Sequence, residues 1–157
     1  MPNYRVGNGV DVHPLVKGKK LILGGVHIEH DFGCDGHTDG DVLVHSIMDA
    51  LLGAINKGDI GDYFPSSDPQ YKNVKSIELL PEIYKIIKPY YIINIDSTII
   101  LQSPIIKPYI SNMKRFIDIC LNPEDISIKA TTTDYLGFIG EGKGVATTTT
   151  CLLATDD

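Results

Sequence analysis

Asp11 and His13 stand two residues apart in GNGVDVHPL, and His45 follows about thirty residues later in HTDGDVLVHSIMDALLGA. One carboxylate and two imidazoles make a three-ligand set for a divalent cation. Three protein ligands leave a coordination position open for water or substrate, as catalytic zinc sites do. The set suits zinc, and also manganese or iron. Each part alone is weak, since a lone helical histidine is more often an ordinary core or surface residue. Together with the HTDGD run they read as one metal site, with Asp41 or Asp49 as partners that orient His45. A second cluster, KATTTDYLGF (129–138), places three threonines and Asp134 at a strand end. Hydroxyls and backbone N–H groups there can hold phosphate oxygens, and Asp134 can hold a magnesium bridging a diphosphate. The plainer reading of that cluster is a capped turn. GEGKG (140–144) matches neither the P-loop nor the dinucleotide fingerprint and reads as a tight turn.

These residues need elements to position them. Residues 4–12 read as a strand, whose period of two puts Asp11 and His13 on one face. Residues 20–23 and 26–29, around Gly24-Gly25, read as a hairpin. Apolar residues at 43, 44, 47, 48, 51, 52 and 55 predict a helix over 39–56, capped by Thr38 or Asp39, with His37 just before it. The stretch 59–75 reads as a long loop, a length that is more often functional than idle. A helix over 76–88, stopped by Pro89, leads to a strand at 91–102 whose apolar run predicts burial on both faces. A helix at 108–121 and strands at 126–132 and 145–154 complete the chain. The class is α+β: a mixed β-sheet with helices packed on one face, as in a ferredoxin-like sandwich.

The 157 residues are read as a single domain, 1–157, with no repeat or linker. Net charge is −6 without a basic run, which argues against nucleic acid as a partner. The apolar stretches are too short to span a membrane. The 3 cysteines lack CxxC spacing, so neither a disulfide framework nor a thiolate zinc site is indicated. No signal or transit peptide is visible. A soluble enzyme of a bacterial cytoplasm fits, as does one of a plastid-type organelle (apicoplast or chloroplast) after transit-peptide removal.

The ordered motifs GxGxDxHxL (7–15), HTDGDVxxHSIMDALLGA (37–54), GDIGxxFP (58–65) and KATTTDxLGFxGxGxG (129–144) closely resemble the 2-C-methyl-D-erythritol 2,4-cyclodiphosphate synthases of the non-mevalonate isoprenoid pathway. The resemblance runs from about residue 5 to residue 154. It implies a phosphorus–oxygen lyase that turns 4-diphosphocytidyl-2-C-methyl-D-erythritol 2-phosphate into the cyclic diphosphate and CMP. It implies a homotrimer with active sites between subunits. Each site would hold one zinc (manganese being compatible) on Asp11, His13 and His45, and a second cation, magnesium or manganese, near Asp134. By resemblance, His37 and Thr132 are catalytic, stabilising the transition state, and Thr38 shares the phosphate contact. Asp59 and Gly61 would hold the methylerythritol hydroxyls, with the stretch from Phe64 to Asp68 closing over them. Leu101, Pro104, Ile106 and Lys107 would form the cytosine pocket, with Thr131, Thr132 and Thr133 at the cytidine side and Phe138 among the substrate contacts. The chain departs from the family at Asp134 (usually Glu), Ser66 (commonly Asp), Ile105 (often Lys), and Glu141 and Lys143 (typically Arg and Glu). A zinc-dependent phosphoester hydrolase and a binding module with a structural metal are the competing readings.

Overall fold

The computed structural model describes residues 2–156. Strand β1 (Asn3–Lys17) is long and paired along most of its length with the last strand, β7 (Gly144–Thr155), in antiparallel register, Gly7 opposite Cys151 and Asp11 opposite Thr147. β7 also pairs antiparallel with β5 (Tyr91–Ile100), and β5 runs parallel to β6 (Asp125–Thr131). With the short β4 (Phe32–Cys34) on the far edge, the sheet order is β4-β1-β7-β5-β6. The expected hairpin forms a separate two-stranded sheet, β2 (Leu21–Leu23) with β3 (Val26–Ile28). Its turn residues Gly24 and Gly25 have φ of 58° and 75°, the backbone that a two-residue hairpin requires and glycine supplies.

The helices α1 (Val42–Ala54), α3 (Leu80–Ile86) and α4 (Ile110–Leu121) form one layer on one face of the sheet, with α1 against β1 and β7, and α4 against β6. α1 is buried on nearly every side, as its almost wholly apolar sequence requires. α4 buries only Met113, Ile117 and Leu121, one stripe at helical spacing. Among the described residues, no layer covers the opposite face of the sheet. There Tyr4, Val6, Val10 and Val12 alternate with the inward residues of β1 and stay 49–67% exposed.

The α+β class and the one-sided helical layer agree with expectation, but the connectivity is not ferredoxin-like. The main elements run β-α-β-α-β-β, not β-α-β-β-α-β, because β5 and β6 are adjacent parallel strands joined by the α4 crossover. Several local expectations also change. The 59–75 stretch contains a short helix, α2 (Ile60–Tyr63), and a 3-10 turn at Pro69–Tyr71. The helix expected over 76–88 begins as a 3-10 turn (Ser76–Leu79) before α3. β5 buries one face fully and the other only partly. Neither Thr38 nor Asp39 caps α1; that residue is Asp41, whose carboxylate accepts from the Val44 N–H at 3.1 Å. No helix is long and apolar enough to cross a membrane among the described residues.

Candidate metal centre and substrate site

The site begins with two glycines. Gly7 and Gly9 point inward from β1, and α1 runs antiparallel across them. A Cβ at Gly7 would lie 1.9 Å from the Ala50 carbonyl oxygen, and one at Gly9 would lie 2.0 Å from that of Ser46. Only glycine permits this approach. Beneath the helix, buried hydroxyls meet its polar groups: Thr147 donates to the Val42 carbonyl at 2.7 Å, and Thr149 lies 2.8 Å from Ser46 and 2.7 Å from Ser97. Further along the inward face of β1 come Asp11 and His13. The close helix therefore delivers His45 to Asp11.

The two imidazoles converge on one carboxylate oxygen. Asp11 Oδ2 lies 2.9 Å from His13 Nε2 and 3.0 Å from His45 Nδ1, with ring centroids 5.4 Å apart. One donor atom from each of the three residues lies within 4.8 Å of the others. In each ring the remaining nitrogen faces a partner outside the cluster. His13 Nδ1–H donates to the Asp35 carbonyl at 2.9 Å, and His45 Nε2 lies 2.9 Å from Ser76 Oγ and 3.1 Å from Thr38 Oγ1. This leaves both inner nitrogens able to present lone pairs beside a carboxylate, so the donor set fits a divalent cation with an open position. The electrostatics agree. Burial works to raise the Asp11 carboxyl, but hydrogen bonds from His13 and His45 outweigh it and hold it at about 2. The Asp11 hydrogen bond raises His13, against the opposing effect of burial. Burial, with the carboxylates of Asp41, Asp11 and Asp39 adding, pushes the Cys34 thiol up to about 12, in keeping with a set that uses no cysteine.

Asp11, His13 and His45 open into a cavity of about 280 Å³ whose wall includes His37, Thr38, Ile60, Gly61, Phe64 and Ser66. Asp59 caps α2 and accepts from Gly61 N–H at 2.8 Å; Asp68 caps the following 3-10 turn. The Phe64 ring packs edge-on against Tyr71, centroids 5.3 Å apart. A second cavity, of about 180 Å³, is lined by Leu101, Pro104, Ile106, Lys107, Thr131 and Thr132, together with Gln102, Ile105 and Ala130. Past it, Thr133 donates to the Leu136 carbonyl at 2.7 Å, and Asp134 is exposed with φ of 52°. Phe138, on the one-turn helix α5 (Gly137–Gly140), lies over Gly144, where a Cβ would come within 2.6 Å of its ring.

The expected residues thus fall into two groups. Asp11 is opposite Thr147, Thr147 opposite Ile99, and Ile99 opposite Ala130. Three strand spacings separate the groups within one chain, about 14 Å. Thr132 and Asp134 are not brought to the metal cluster. The expected roles of Asp41 and Asp49 are also corrected. Asp41 is buried at the N-terminus of α1 and accepts from the Gly24 and Gly25 N–H groups at 2.9 and 2.8 Å. Asp49 accepts from Ile60 N–H at 2.9 Å and so ties α2 to α1. The side chains that do contact the outer nitrogen of His45 are Thr38 and Ser76. Ser76 went unread because a serine thirty-one positions away carries no spacing signal. The Asp35 carbonyl is backbone, which no side-chain pattern marks.

The family model described as the YgbB family matches residues 4–154. A 2-C-methyl-D-erythritol 2,4-cyclodiphosphate synthase of Clostridioides difficile is 52% identical, covering 95% of each chain. The synthase of Acaryochloris marina is 48% identical, covering 99% of each. Among solved structures, the bifunctional IspDF of Campylobacter jejuni superposes with a TM-score of 0.94 at 40% identity; this chain is covered in full and spans 44% of that longer one. The IspF of Plasmodium falciparum, solved as a CDP complex, gives 0.85 at 34% identity, covering 99% of this chain and 98% of that one. With its close-packed Asp-His-His cluster, its fold and near-complete coverage by these relatives, the chain belongs to the YgbB family, among the 2-C-methyl-D-erythritol 2,4-cyclodiphosphate synthases.

Proposed function

We propose that this chain converts 4-diphosphocytidyl-2-C-methyl-D-erythritol 2-phosphate into 2-C-methyl-D-erythritol 2,4-cyclodiphosphate and CMP. The convergence of both imidazoles on Asp11 at 2.9 and 3.0 Å, at the wall of a cavity shared with His37 and Thr38, carries the proposal. An oxygen of the 2-phosphate attacks the β-phosphorus. The bond from that phosphorus to the bridging oxygen breaks, and CMP leaves with the electron pair. Such a transfer needs positioning and charge neutralisation more than covalent chemistry. Asp11, His13 and His45 would hold a divalent cation, zinc best fitting the donors, and that cation would supply Lewis-acid chemistry to the phosphoryl group. His37 and Thr38 face the same cavity and can donate hydrogen bonds to phosphoryl oxygens. Asp59 and Gly61, fixed by the α2 cap, present a carboxylate and backbone at the polyol side, with Phe64 and Asp68 flanking.

In this reading Thr132 would complete transition-state stabilisation, Asp134 would hold the second cation, and Leu101, Pro104, Ile106, Lys107, Thr131 and Thr133 would receive the cytidine, with Phe138 supporting that loop. The CDP complex of the Plasmodium falciparum relative supports a cytidine nucleotide as ligand. Because about 14 Å of sheet separates the two groups in one chain, we assign them to adjacent subunits of a homotrimer. The uncovered sheet face with Val6, Val10 and Val12 is the surface available for that assembly. The bacterial relatives at 48 and 52% identity favour a bacterial cytoplasm over a plastid-type organelle.

A hydrolase would also use an open cation position, but the relatives above are synthases. A closed structural site would need a fourth protein ligand. Phosphorus NMR with the cytidine diphosphate substrate and magnesium, with and without a zinc chelator, tests the proposal. The expected result is chelator-sensitive formation of CMP and a cyclic diphosphate; linear phosphate products would contradict it.

A further inference from the structure

His45 stands at the end of a chain of hydrogen bonds that leads away from the proposed metal. Its Nδ1 faces Asp11, so its Nε2 must carry the proton if Nδ1 is to bind a cation. Ser76 Oγ, 2.9 Å from that nitrogen, is fully buried. It donates to Asp39 Oδ1 at 2.6 Å, a short, charge-assisted contact that takes its only proton. Its lone pairs then face His45. Asp39 is itself fixed from two sides, accepting from the Ser76 N–H at 3.1 Å and the Asp41 N–H at 3.2 Å. Every hydrogen in the series points the same way, from imidazole to hydroxyl to carboxylate. Thr38 Oγ1 lies 3.1 Å from the same nitrogen and 3.2 Å from Ser76 Oγ. With Ser76 serving His45, the Thr38 proton is left for a ligand in the cavity that Thr38 lines.

We propose that Ser76 and Asp39 are positioning residues that hold the Nε2–H of His45 and so aim Nδ1 at the metal once a cation displaces the Nδ1 proton. The inference rests on the metal reading above. The arrangement parallels that of His13, which a backbone carbonyl fixes; for His45 the fixing group is a side-chain relay and so is open to mutation. Partners of this kind typically change metal affinity by about 10–100-fold when removed.

The test uses the whole 157-residue chain, Zn2+ alone as probe, competition against a chromogenic chelator for affinity, and the solvent-exchange rate of the His45 Nε2–H in the zinc-bound protein. Ser76→Ala is expected to weaken zinc binding by about 10–100-fold and to speed solvent exchange of the His45 Nε2–H in the zinc-bound protein, with an unchanged circular dichroism spectrum. Ser76→Thr, which keeps the hydroxyl, is expected to restore both. Asp39→Asn is expected to weaken zinc binding alone but to add nothing in the Ser76→Ala background, because Asp39 acts through Ser76. Unchanged affinity and unchanged Nε2–H exchange in Ser76→Ala would overturn the relay while leaving the metal reading intact. Additive losses from the two substitutions would also overturn it. Failure of the unsubstituted protein to take up zinc would overturn the metal reading and the relay together.

Discussion

Asp11 favours the protonated form of His13, and His13 favours the ionised form of Asp11, before any cation arrives. The Asp11 carboxyl sits at about 2, below its unfolded value of 3.8, so its stabilising contribution is present above that value and is lost as pH falls through about 2. His13 is raised above 6.5, so its contribution is full below 6.5 and is lost as pH rises past the raised value. A cation must displace that His13 proton. Apparent zinc affinity is therefore expected to rise with pH, by up to about tenfold per unit while His13 remains protonated, and to level off above its pKa. Competition titrations across this range check it; flat affinity would contradict His13 as a ligand. His37 lines the cavity without joining the cluster. His37→Ala is accordingly expected to cut turnover by about 10²–10³-fold, as loss of an oxyanion donor does, with zinc stoichiometry unchanged. Much of this centre was legible at the residue level, since period two put Asp11 and His13 on one face and the helix carried His45. The misreading of Asp41 has a physical cause. The helix was expected to start at 39, which placed Asp41 one turn from His45 on the same stripe, but α1 starts at Val42 and its cap turns toward the hairpin.

The α1–β1 contact is the element on which the site depends. Gly9→Ala places a methyl against the Ser46 carbonyl, and the helix must move to admit it. The expected cost is about 1–3 kcal/mol of stability, together with weakened zinc binding as His45 is carried away from Asp11. Denaturant midpoints and chelator competition read the two effects; unchanged values would mean that the helix is not held by this approach. The N-terminus of α1 is fixed by Asp41, which serves three N–H groups. Asp41→Ala leaves those buried donors without an acceptor, and a loss of about 3 kcal/mol or more is expected from denaturant unfolding. Burial raises the Asp41 carboxyl to about 6, with the neighbouring Asp39 adding, so the folded chain retains a proton there between about pH 4 and 6 and this group's contribution falls as pH rises through that window. The long periodic segments were legible as elements. β4 and α5 were not, because three- and four-residue elements are set by tertiary pairing, not by periodicity.

At the scale of the whole molecule, an acidic chain of net charge −6 binds an anionic substrate only where cations and local donors gather, and those donors lie in two groups about 14 Å apart. That separation could not be read from the sequence, because it depends on the β1-β7-β5-β6 strand order. Nor did the sequence show that one sheet face would be left uncovered. The central claim is that one reaction centre joins the metal cluster of one subunit to the Thr132 loop of the next. Its most direct measurement is CMP release by mixed oligomers of two inactive variants, His45→Ala and Thr132→Ala, co-expressed in equal amounts. If each site draws its halves from neighbouring subunits, about one quarter of the sites in random mixtures are intact, and activity returns to about that fraction of the unsubstituted enzyme. Mixtures as inactive as either variant alone would contradict a shared site.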